Sequence, residues 1–401
     1  MNIDYTSVRF EVTSKCNLNC AYCHNAAHSN NSGDMTTEEL LWLIWSLKNK
    51  YNIGKILLTG GEPLVKPDIC DIVASITALG IKADMVTNGT LLTLELLKKL
   101  EAAGLKRIRL SIDEISDETL VRGDSSPNKL WETAKMVVQN SSIELCIHTV
   151  CSPYNVKNLY DVYQKVLEVG ARRWRVFDLG YQGDFVENRG DFDLESYYQD
   201  LILSTKKILG DFVPNKRNEV LDIEINNIFR TEFLDMDPAD FVDFDRQKTY
   251  EARLLKSPCN YVAAHQISIR SDGKGTLCQY FHNPIYDYKK AAFDAEKAVE
   301  ELVPYEEFTL QMKDLKHCSR CKYNMVCNSG CRARALFLTG DIKDADPGAC
   351  YLHPMVHEEI MTMLPKHVLD IYEGYILEDG LEPKYSLTDL KDFLRKKGYH
   401  A

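Results

Sequence analysis

Short β-rich runs and helical patterns alternate between positions 8 and 179, and this alternation restricts the fold more than any other feature of the chain. Strands separated by helices favour a parallel sheet, because two parallel strands need a crossover connection between them. The sequence predicts six strands, at residues 8–12, 55–59, 83–87, 107–112, 144–150 and 173–179. Six β-α units are too few for the closed eight-stranded barrel, so we expect an α/β fold with an open, partial (β/α)6 barrel of the TIM type.

The helices between these strands carry recognisable start and stop signals. The first follows Thr36, and Glu39 three residues later completes a capping box. The others are predicted to begin near Asp68, Thr93, Asn128 and Asn155, and three of them to end at Gly80, Gly104 and Gly170. Ligands of such folds lie at the carboxyl ends of the strands, so functional residues are expected there.

The rest of the chain divides into three segments after a first domain at residues 1–182. Residues 183–255 are rich in acidic and aromatic side chains and are interpreted as a connecting region with surface loops and one or two helices. A small cysteine-rich domain is predicted at residues 256–353. Residues 354–401 are predicted to form a helical tail that ends in a basic amphipathic stretch at 387–397.

The net charge of −11 argues against nucleic acid and anionic membrane surfaces as partners, because both attract clustered Lys and Arg. No apolar run reaches the length of a membrane span, and the N-terminus lacks the charged and apolar regions of an export signal. We therefore expect a cytoplasmic protein. In that reducing compartment thirteen cysteines, ten of them in two spaced groups, indicate metal binding rather than disulfides.

The first cysteine group follows the first predicted strand directly, with the spacing C-x3-C-x2-C at Cys16, Cys20 and Cys23. Three thiolates on one tight loop can hold three irons of a [4Fe–4S] cube, and the fourth iron is then open to a small ligand. A zinc knuckle is the alternative, but it needs four protein ligands and is usually built from C-x2-C pairs. The position of the loop, after strand one of a β-α barrel pattern, favours the iron–sulfur cluster.

A second motif, Gly60-Gly61-Glu62-Pro63, lies at the end of the second predicted strand. Together with the cysteine loop it resembles the radical S-adenosylmethionine (SAM) superfamily, over essentially all of the segment 1–180. The resemblance implies that the amino and carboxylate groups of SAM bind the open iron. One electron from the cluster then breaks a C–S bond of SAM, and the resulting 5′-deoxyadenosyl radical abstracts hydrogen from the substrate.

The same resemblance implies a set of SAM-binding residues at the strand ends. Glu62 would accept a hydrogen bond from the ammonium group of SAM, Arg122 would neutralise its carboxylate, and Leu179 would pack on its adenine. The full set is Tyr22, Gly60, Gly61, Glu62, Pro63, Asn88, Ser111, Asp113, Arg122 and Leu179. Structural alternatives stay open: an N-cap for Ser111, a surface ion pair for Arg122, and ordinary packing for Asn88 and Leu179.

The seven C-terminal cysteines resemble the SPASM extension, which holds two auxiliary [4Fe–4S] clusters in radical SAM maturases. The resemblance implies two ligand sets, an outer one of Cys318, Cys321, Cys327 and Cys350 and an inner one of Cys259, Cys278 and Cys331. The inner set is one ligand short, and His265, a water or substrate group, or another side chain could complete it. An ordinary strand histidine is the simpler interpretation of His265.

Three cysteines lie outside both groups. Cys70, in a helical segment, and Cys146, in a strand, are interpreted as buried structural thiols. Cys151 follows the fifth strand, and a minority interpretation has it face the barrel.

Because SPASM-bearing enzymes mostly modify peptides, the resemblance implies a maturase that oxidises or crosslinks a ribosomally made precursor peptide. Strand one begins at residue 8, so no fused N-terminal domain is expected to bind a leader. A separate leader-recognition protein, residues 183–255 or the tail would then do so. A flavodoxin, ferredoxin or reductase is the expected electron donor.

Two alternatives to peptide modification stay open. The runner-up is a radical SAM enzyme of tetrapyrrole or other small-molecule cofactor synthesis. An iron–sulfur electron carrier or a zinc scaffold would leave the Gly-Gly-Glu-Pro motif, Ser111 and Arg122 unexplained.

Sulfatase-type maturases are similar to this chain in length, but the chain departs from their pattern at two points. They usually carry an Asp base directly after the cysteine that matches Cys278, where this chain has Gln279. Glutamine cannot accept a proton in that role. They also carry an eighth cysteine, so both departures count against oxidation of a sulfatase side chain.

Overall fold

The structure is a computed structural model that describes residues 5–25, 33–117, 122–123, 125–178, 193–225, 227–241, 244–281, 284–298 and 310–399. Within these residues the strands form one eleven-stranded sheet, with helices packed on one face. Leu179 lies outside the described residues.

The six predicted strands are confirmed, and each observed end lies at most two positions from the predicted one. They are β1 (Ser7–Glu11), β2 (Lys55–Thr59), β3 (Lys82–Thr87), β4 (Arg107–Ser111), β5 (Glu144–Val150) and β6 (Arg173–Phe177). Each strand pairs in parallel with the next one along the chain. This is the topology of the predicted partial α/β barrel.

Further strands extend both edges of this sheet beyond the prediction. On the β6 side, β7 (Asp222–Ile225) pairs in parallel and β8 (Phe229–Arg230) returns antiparallel. On the β1 side, β9 (Gln266–Ile269) pairs in parallel, and β10 (Lys274–Thr276) and β11 (Tyr286–Asp287) follow in antiparallel pairing. The cysteine-rich segment is therefore joined to the barrel through hydrogen bonds between β9 and β1.

Five helices connect the six barrel strands and pack against the outer face of the sheet. They are α1 (Thr37–Lys50), α2 (Ile69–Ala78), α3 (Leu94–Ala102), α4 (Pro127–Asn140) and α5 (Leu159–Val169). The predicted capping box is present, because Thr36 Oγ1 accepts from the backbone N–H of Glu39 at 3.2 Å and the Glu39 carboxylate accepts from that of Thr36 at 2.8 Å. The helical segment predicted near Asn155 begins there as a 3-10 turn over Val156–Asn158, which leads directly into α5. The Asn155 side chain bonds Ser152 and two strand-end carbonyls instead of capping a helix.

The second half of the chain is mainly helical in its described parts. Its helices are α6 (Leu194–Phe212), α7 (Arg246–Leu254), α8 (Asn260–Ala263), α9 (Asn324–Cys327), α10 (Arg332–Thr339), α11 (Pro347–Met355), α12 (Lys366–Gly374) and α13 (Leu387–Lys396). The amphipathic end of the predicted helical tail is α13, which buries Leu390 and Leu394. Among the described helices, none has the length and apolar character needed to cross a lipid bilayer.

The two faces of the barrel sheet differ in chemistry. Alternate residues point to opposite faces of a strand, and in β1 Val8 and Phe10 are fully buried towards the helices. The residues between them, such as Arg9, are half-buried and face the inside of the barrel. In β4 the same pattern buries Ile108 and leaves Arg109 facing inward. The apolar core therefore lies between sheet and helices, while the concave inner face is polar.

Candidate active site

A cavity with about 270 Å³ open to water lies at the carboxyl ends of the barrel strands. Most of the predicted cluster and SAM residues line it: Cys16, Cys20, Tyr22, Cys23, Gly60, Gly61, Glu62, Asn88, Ser111 and Arg122. Pro63 and Asp113, also predicted to contact SAM, lie behind the lining. Pro63 begins a buried 3-10 turn over Pro63–Val65. Ser111 is the last residue of β4, and the N-cap of the next described helix is Ser126.

The three cysteines of the first group meet in this cavity. The backbone N–H of Cys23 donates to the carbonyl of Cys20 at 3.1 Å, which folds the loop tightly, and that of Leu18 donates to Cys16 Sγ at 3.4 Å. Burial raises the pKa of Cys20 to about 11. A thiol that coordinates iron is held deprotonated by the metal. Among the described residues no fourth cysteine lines the cavity, so this loop offers three thiolates.

Gly60 and Gly61 are needed where β2 meets the cysteine loop. The backbone N–H of Gly61 donates to the carbonyl of Thr13, and that of Glu62 donates to the carbonyl of Lys15, both at 2.9 Å. A Cβ on Gly60 would lie 2.3 Å from the Thr13 oxygen, and one on Gly61 would lie 2.2 Å from the Lys15 oxygen. The absence of a side chain at both positions thus allows the end of β2 to approach the segment that leads into the cysteines.

The carboxylate of Glu62 is held in one orientation. It is 1% exposed and accepts from Thr87 Oγ1 at 2.6 Å, the Asn88 N–H at 2.7 Å and the Leu64 N–H at 3.0 Å. Burial raises the pKa of Glu62, and these three donors oppose that shift. Two donors share Oε1 and one uses Oε2, so Oε2 retains acceptor capacity beside the cavity.

The side chain of Asn88 ties the end of β3 to the cysteine loop. Its Nδ2 donates to Asn17 Oδ1 at 2.9 Å, and its Oδ1 accepts from the N–H and the hydroxyl of Thr90. Asn17 in turn donates to Thr90 Oγ1 at 2.8 Å. Asn88 therefore has a structural role through these hydrogen bonds, and it also lines the cavity.

Tyr22, Asp113 and Arg122 form a buried hydrogen-bonded group. Arg122 Nη1 donates to Asp113 Oδ2 at 2.8 Å, and the hydroxyl of Tyr22 donates to the same oxygen. Asp113 Oδ1 accepts from the Val150 N–H at 2.7 Å. Arg122 is only 8% exposed, so its ion pair is not a surface pair. Its Nε is buried without a hydrogen-bond partner among the described residues, and the residue lines the cavity.

The four cysteines of the predicted outer set also come together. Cys318, Cys321, Cys327 and Cys350 line one small cavity in the cysteine-rich part of the chain. Burial raises the pKa of Cys318 to about 11 and that of Cys350 to about 12. Four thiols around one cavity match the ligand number of a [4Fe–4S] cube.

The predicted inner set adjoins residues of both cavities, because the Cys331 N–H donates to Asp346 and Cys278 precedes Gln279. Burial, together with the nearby Cys331 and Cys259, raises the pKa of Cys278 to about 12, so the three thiols are neighbours. The next two residues, Gln279 and Tyr280, line the main cavity. His265 is exposed at a turn before β9 with φ 52°, which favours a surface histidine over a cluster ligand.

The remaining cysteines are outside the described cavities. Cys146 and Cys151 are buried, and Cys70 is half-buried on α2. Cys151 does not line the barrel cavity, so the structure does not support the interpretation that it faces the barrel.

Sequence reasoning missed a second group of cavity residues, Arg9, Arg109 and His148 on β1, β4 and β5. The signal was present, because charged residues alternate with apolar ones in Arg9-Phe10-Glu11 and in Arg107-Ile108-Arg109. A strand with this alternation has one polar face. In a partial barrel that face lines the interior.

Sequence reasoning also missed a buried ion-pair chain between the cavities. Arg334 Nη1 donates to Asp178 Oδ2 at 2.8 Å, and its Nε donates to Asp346 Oδ1 at 2.7 Å. Asp346 Oδ2 accepts from the backbone N–H of Cys331 at 2.7 Å. Asp178 lines the main cavity and Asp346 lines the outer cysteine cavity, so one arginine connects both.

Comparison with known proteins places the first part of the chain in a described family. A family model for the radical SAM superfamily matches residues 10–166. AdoMet-dependent heme synthase of Methanosarcina barkeri is 29% identical over 356 residues, which are 86% of this chain and 96% of that protein. PqqA peptide cyclase of Bradyrhizobium diazoefficiens is 25% identical over 374 residues, 88% of each chain.

Solved structures share the fold at low sequence identity. Streptococcus suis SuiB bound to S-adenosylmethionine is 15% identical with a TM-score of 0.62, over 87% of this chain and 77% of SuiB. The anSMEcpe structure with bound AdoMet is 16% identical with a TM-score of 0.65, over 99% of this chain and 100% of that one.

Proposed function

Because this chain is a radical SAM enzyme, a family whose members use SAM and a [4Fe–4S] cluster, we propose that it modifies a ribosomally synthesised precursor peptide. In this proposal it cleaves SAM reductively, abstracts hydrogen from the peptide and then oxidises or crosslinks it. One observation carries the SAM-cleaving part of the proposal. Three thiols, the Gly-Gly-Glu motif and a buried arginine share one cavity at the strand ends.

Cys16, Cys20 and Cys23 would hold the cluster that cleaves SAM. When bound, such a cluster supplies the electron that splits SAM into methionine and the 5′-deoxyadenosyl radical that takes hydrogen from the peptide. The residues fit this group, because the cavity offers three thiols and each thiolate of a cube binds its own iron. A single zinc ion fits less well, since structural zinc is almost always held by four protein ligands and this loop offers three cysteines.

The SAM contacts follow from donors and acceptors left available in the cavity. Oε2 of Glu62 would accept from the ammonium group, and the guanidinium of Arg122 would donate to the carboxylate. Asp113 would act indirectly, by fixing Tyr22 and Arg122 through its own hydrogen bonds. Gly60, Gly61, Pro63, Asn88, Ser111 and Leu179 complete the proposed SAM site.

The C-terminal cysteines would hold two auxiliary [4Fe–4S] clusters. The shared cavity of Cys318, Cys321, Cys327 and Cys350 supports the outer one. The mutual proximity of Cys259, Cys278 and Cys331 supports the inner one. Since Gln279 and Tyr280 follow Cys278 and line the main cavity, the inner cluster would lie beside the substrate. Such clusters could accept the electron left on the peptide after hydrogen abstraction.

Similar proteins support a peptide as the substrate. SuiB has been solved bound to the precursor peptide SuiA, and anSMEcpe bound to the Cp18Cys peptide. PqqA peptide cyclase aligns with nearly the whole chain. A separate leader-recognition protein and a flavodoxin, ferredoxin or reductase would be the protein partners.

Tetrapyrrole chemistry is the second candidate, and one observation favours it. The heme synthase of Methanosarcina barkeri is similar to this chain over 96% of its own length. A tetrapyrrole would carry its propionate groups into the same cavity.

The decisive experiment incubates the anaerobically reconstituted enzyme with SAM, dithionite and one candidate substrate. The peptide encoded by a small open reading frame beside the gene is compared with coproporphyrin III. We expect 5′-deoxyadenosine and a mass change of the peptide. A mass change of the porphyrin alone would favour the second candidate, and no 5′-deoxyadenosine with either would contradict SAM cleavage.

A further inference from the structure

The inner face of the barrel carries more positive charge than its carboxylates neutralise near β3 and β4. Oδ2 of Asp84 accepts from Lys55 Nζ at 2.9 Å, Arg107 Nη1 at 3.2 Å and Arg109 Nη2 at 2.9 Å. One negative charge cannot balance three cations. Arg107 also pairs with Glu144, but that carboxylate is shared with a further arginine of β6. Arg109 is therefore left in a net positive surrounding.

Three polar side chains of this inner face form part of the wall of the main cavity. Arg9, Arg109 and His148 all line it. The Nε atoms of both arginines and Nε2 of His148 are shielded from solvent and have no hydrogen-bond partner among the described residues. Buried polar atoms without partners cost free energy, so three side chains that carry such atoms in the wall of one cavity indicate that a polar group binds beside them.

The local field supports a negatively charged acceptor. The His148 ring packs edge-on against Phe177, with ring centroids 4.9 Å apart. Burial lowers the pKa of His148 well below its usual value, and four arginines, Arg109 and Arg175 first, lower it further. Glu11 lies two residues after Arg9 on the same strand; burial raises its pKa, whereas the charges of Arg9 and Arg270 lower it.

These donors lie deeper in the barrel than the SAM motifs. Arg9, Arg109 and His148 each precede the last residue of their strand by two positions. Two residues of a strand span roughly 7 Å. The cysteine loop, Glu62 and Arg122 lie at or beyond the strand ends, so the deeper layer is available to a second molecule.

We infer that Arg9, Arg109 and His148 form a subsite that binds a carboxylate of the peptide substrate, the side chain of a Glu or Asp residue near the modified position. This inference deepens the proposed function and rests on it, because the substrate is taken to react in this cavity. Arginine suits the role, since its planar donors match a carboxylate and keep their charge at any physiological pH.

The test measures binding without turnover. Reconstituted holoenzyme with saturating SAM and no reductant is titrated with N-acetyl-glutamate N-methylamide and with the uncharged isostere N-acetyl-glutamine N-methylamide. Dissociation constants are read by saturation-transfer-difference NMR. We expect the wild type to prefer the glutamate probe by at least about tenfold, the lower end for a charge-assisted hydrogen bond.

Arg9→Gln is expected to abolish this preference, and Arg109→Gln is a second variant in case the first does not fold. Arg230→Gln is the matched control, because Arg230 pairs with Glu224 at 2.9 Å and does not line the cavity. The control should keep the wild-type preference. Iron content and the visible spectrum report folding of each variant.

Three results would overturn the subsite. The wild type could bind both probes equally, the folded Arg9 and Arg109 variants could keep the preference, or saturating SAM could remove a preference seen without it. Coproporphyrin III is titrated in parallel. If the porphyrin binds in an Arg9-dependent way and the two amino acid probes bind equally, the subsite is assigned to propionate groups instead. Formation of 5′-deoxyadenosine after reduction is measured separately, so a failure of SAM cleavage is distinguishable from a failure of the subsite.

Discussion

Replacing Gly61 by alanine tests whether the Gly-Gly pair positions the cysteine loop. The new Cβ would lie 2.2 Å from the Lys15 oxygen and 2.8 Å from the Ser14 oxygen. Both contacts are to backbone, which cannot rotate away as a flexible side chain would. Gly61 does not have a positive φ, so alanine fits its backbone conformation and the effect is purely steric.

The size of the displacement follows from these contacts. The separation of 2.2 Å must open to the 3.4 Å at which ordinary van der Waals contact begins. The backbone must therefore move by roughly 1 Å to relieve the repulsion. The segment that must move ends at Cys16, the first thiol of the cavity. Overpacking of this kind costs about 1–3 kcal/mol. A misplacement of about 1 Å at a reacting centre can cost roughly a hundredfold in rate.

The assay measures 5′-deoxyadenosine formed with SAM and dithionite, together with iron content. We expect Gly61→Ala to be about a hundredfold slower, or to lose the roughly four irons of one cube. Gly54→Ala is the matched control, because the same added Cβ meets nothing within 4 Å. A Gly61→Ala protein with full iron content and the wild-type rate would refute the positioning role.

Further substitutions test the cluster ligands and the buried ion pairs. Cys20→Ala is expected to abolish 5′-deoxyadenosine formation. Cys70→Ala should retain it, because Cys70 does not line either described cavity. Turnover that persists in Cys20→Ala would disprove the ligand assignment. Cys327→Ala is expected to spare most SAM cleavage and lose the modified peptide, as read by mass spectrometry, and surviving product would leave the outer cluster without a catalytic role. Arg334→Met deprives two buried carboxylates of their cation. It should lower the free energy of unfolding by about 3–5 kcal/mol, and an unchanged denaturation midpoint would contradict this.

The parts of the fold that sequence could predict are those with local signals. Strands β1 to β6 alternate with helices whose caps are encoded within a few residues, as at Thr36 and Glu39. The cysteine spacing and the Gly-Gly-Glu-Pro turn are also local. Their meeting in one cavity follows from the rule that parallel strands end at the same edge of a sheet.

The parts that sequence could not predict depend on contacts between distant residues. The strand β9 pairs with β1 although the two are far apart along the chain, as in Ser7 with Gln266. Its short length also gives a weak strand signal. The strand β7 lies in residues 183–255, which are interpreted from sequence as a connecting region with surface loops. The ion pair of Asp178 with Arg334 joins residues 156 positions apart. No local pattern specifies such a partner.

Attachment at both margins makes the cysteine-rich part a fixed bridge over the barrel opening. One margin is hydrogen-bonded to β1 through β9, and the other is anchored to the end of β6 by Asp178 and Arg334. Swinging this bridge outward would break strand pairing and expose a desolvated charge, so it cannot work as a hinged lid. A substrate of the proposed reaction would therefore enter without a swing of this bridge. If both cysteine groups hold clusters as proposed, the distance between them would stay constant during turnover.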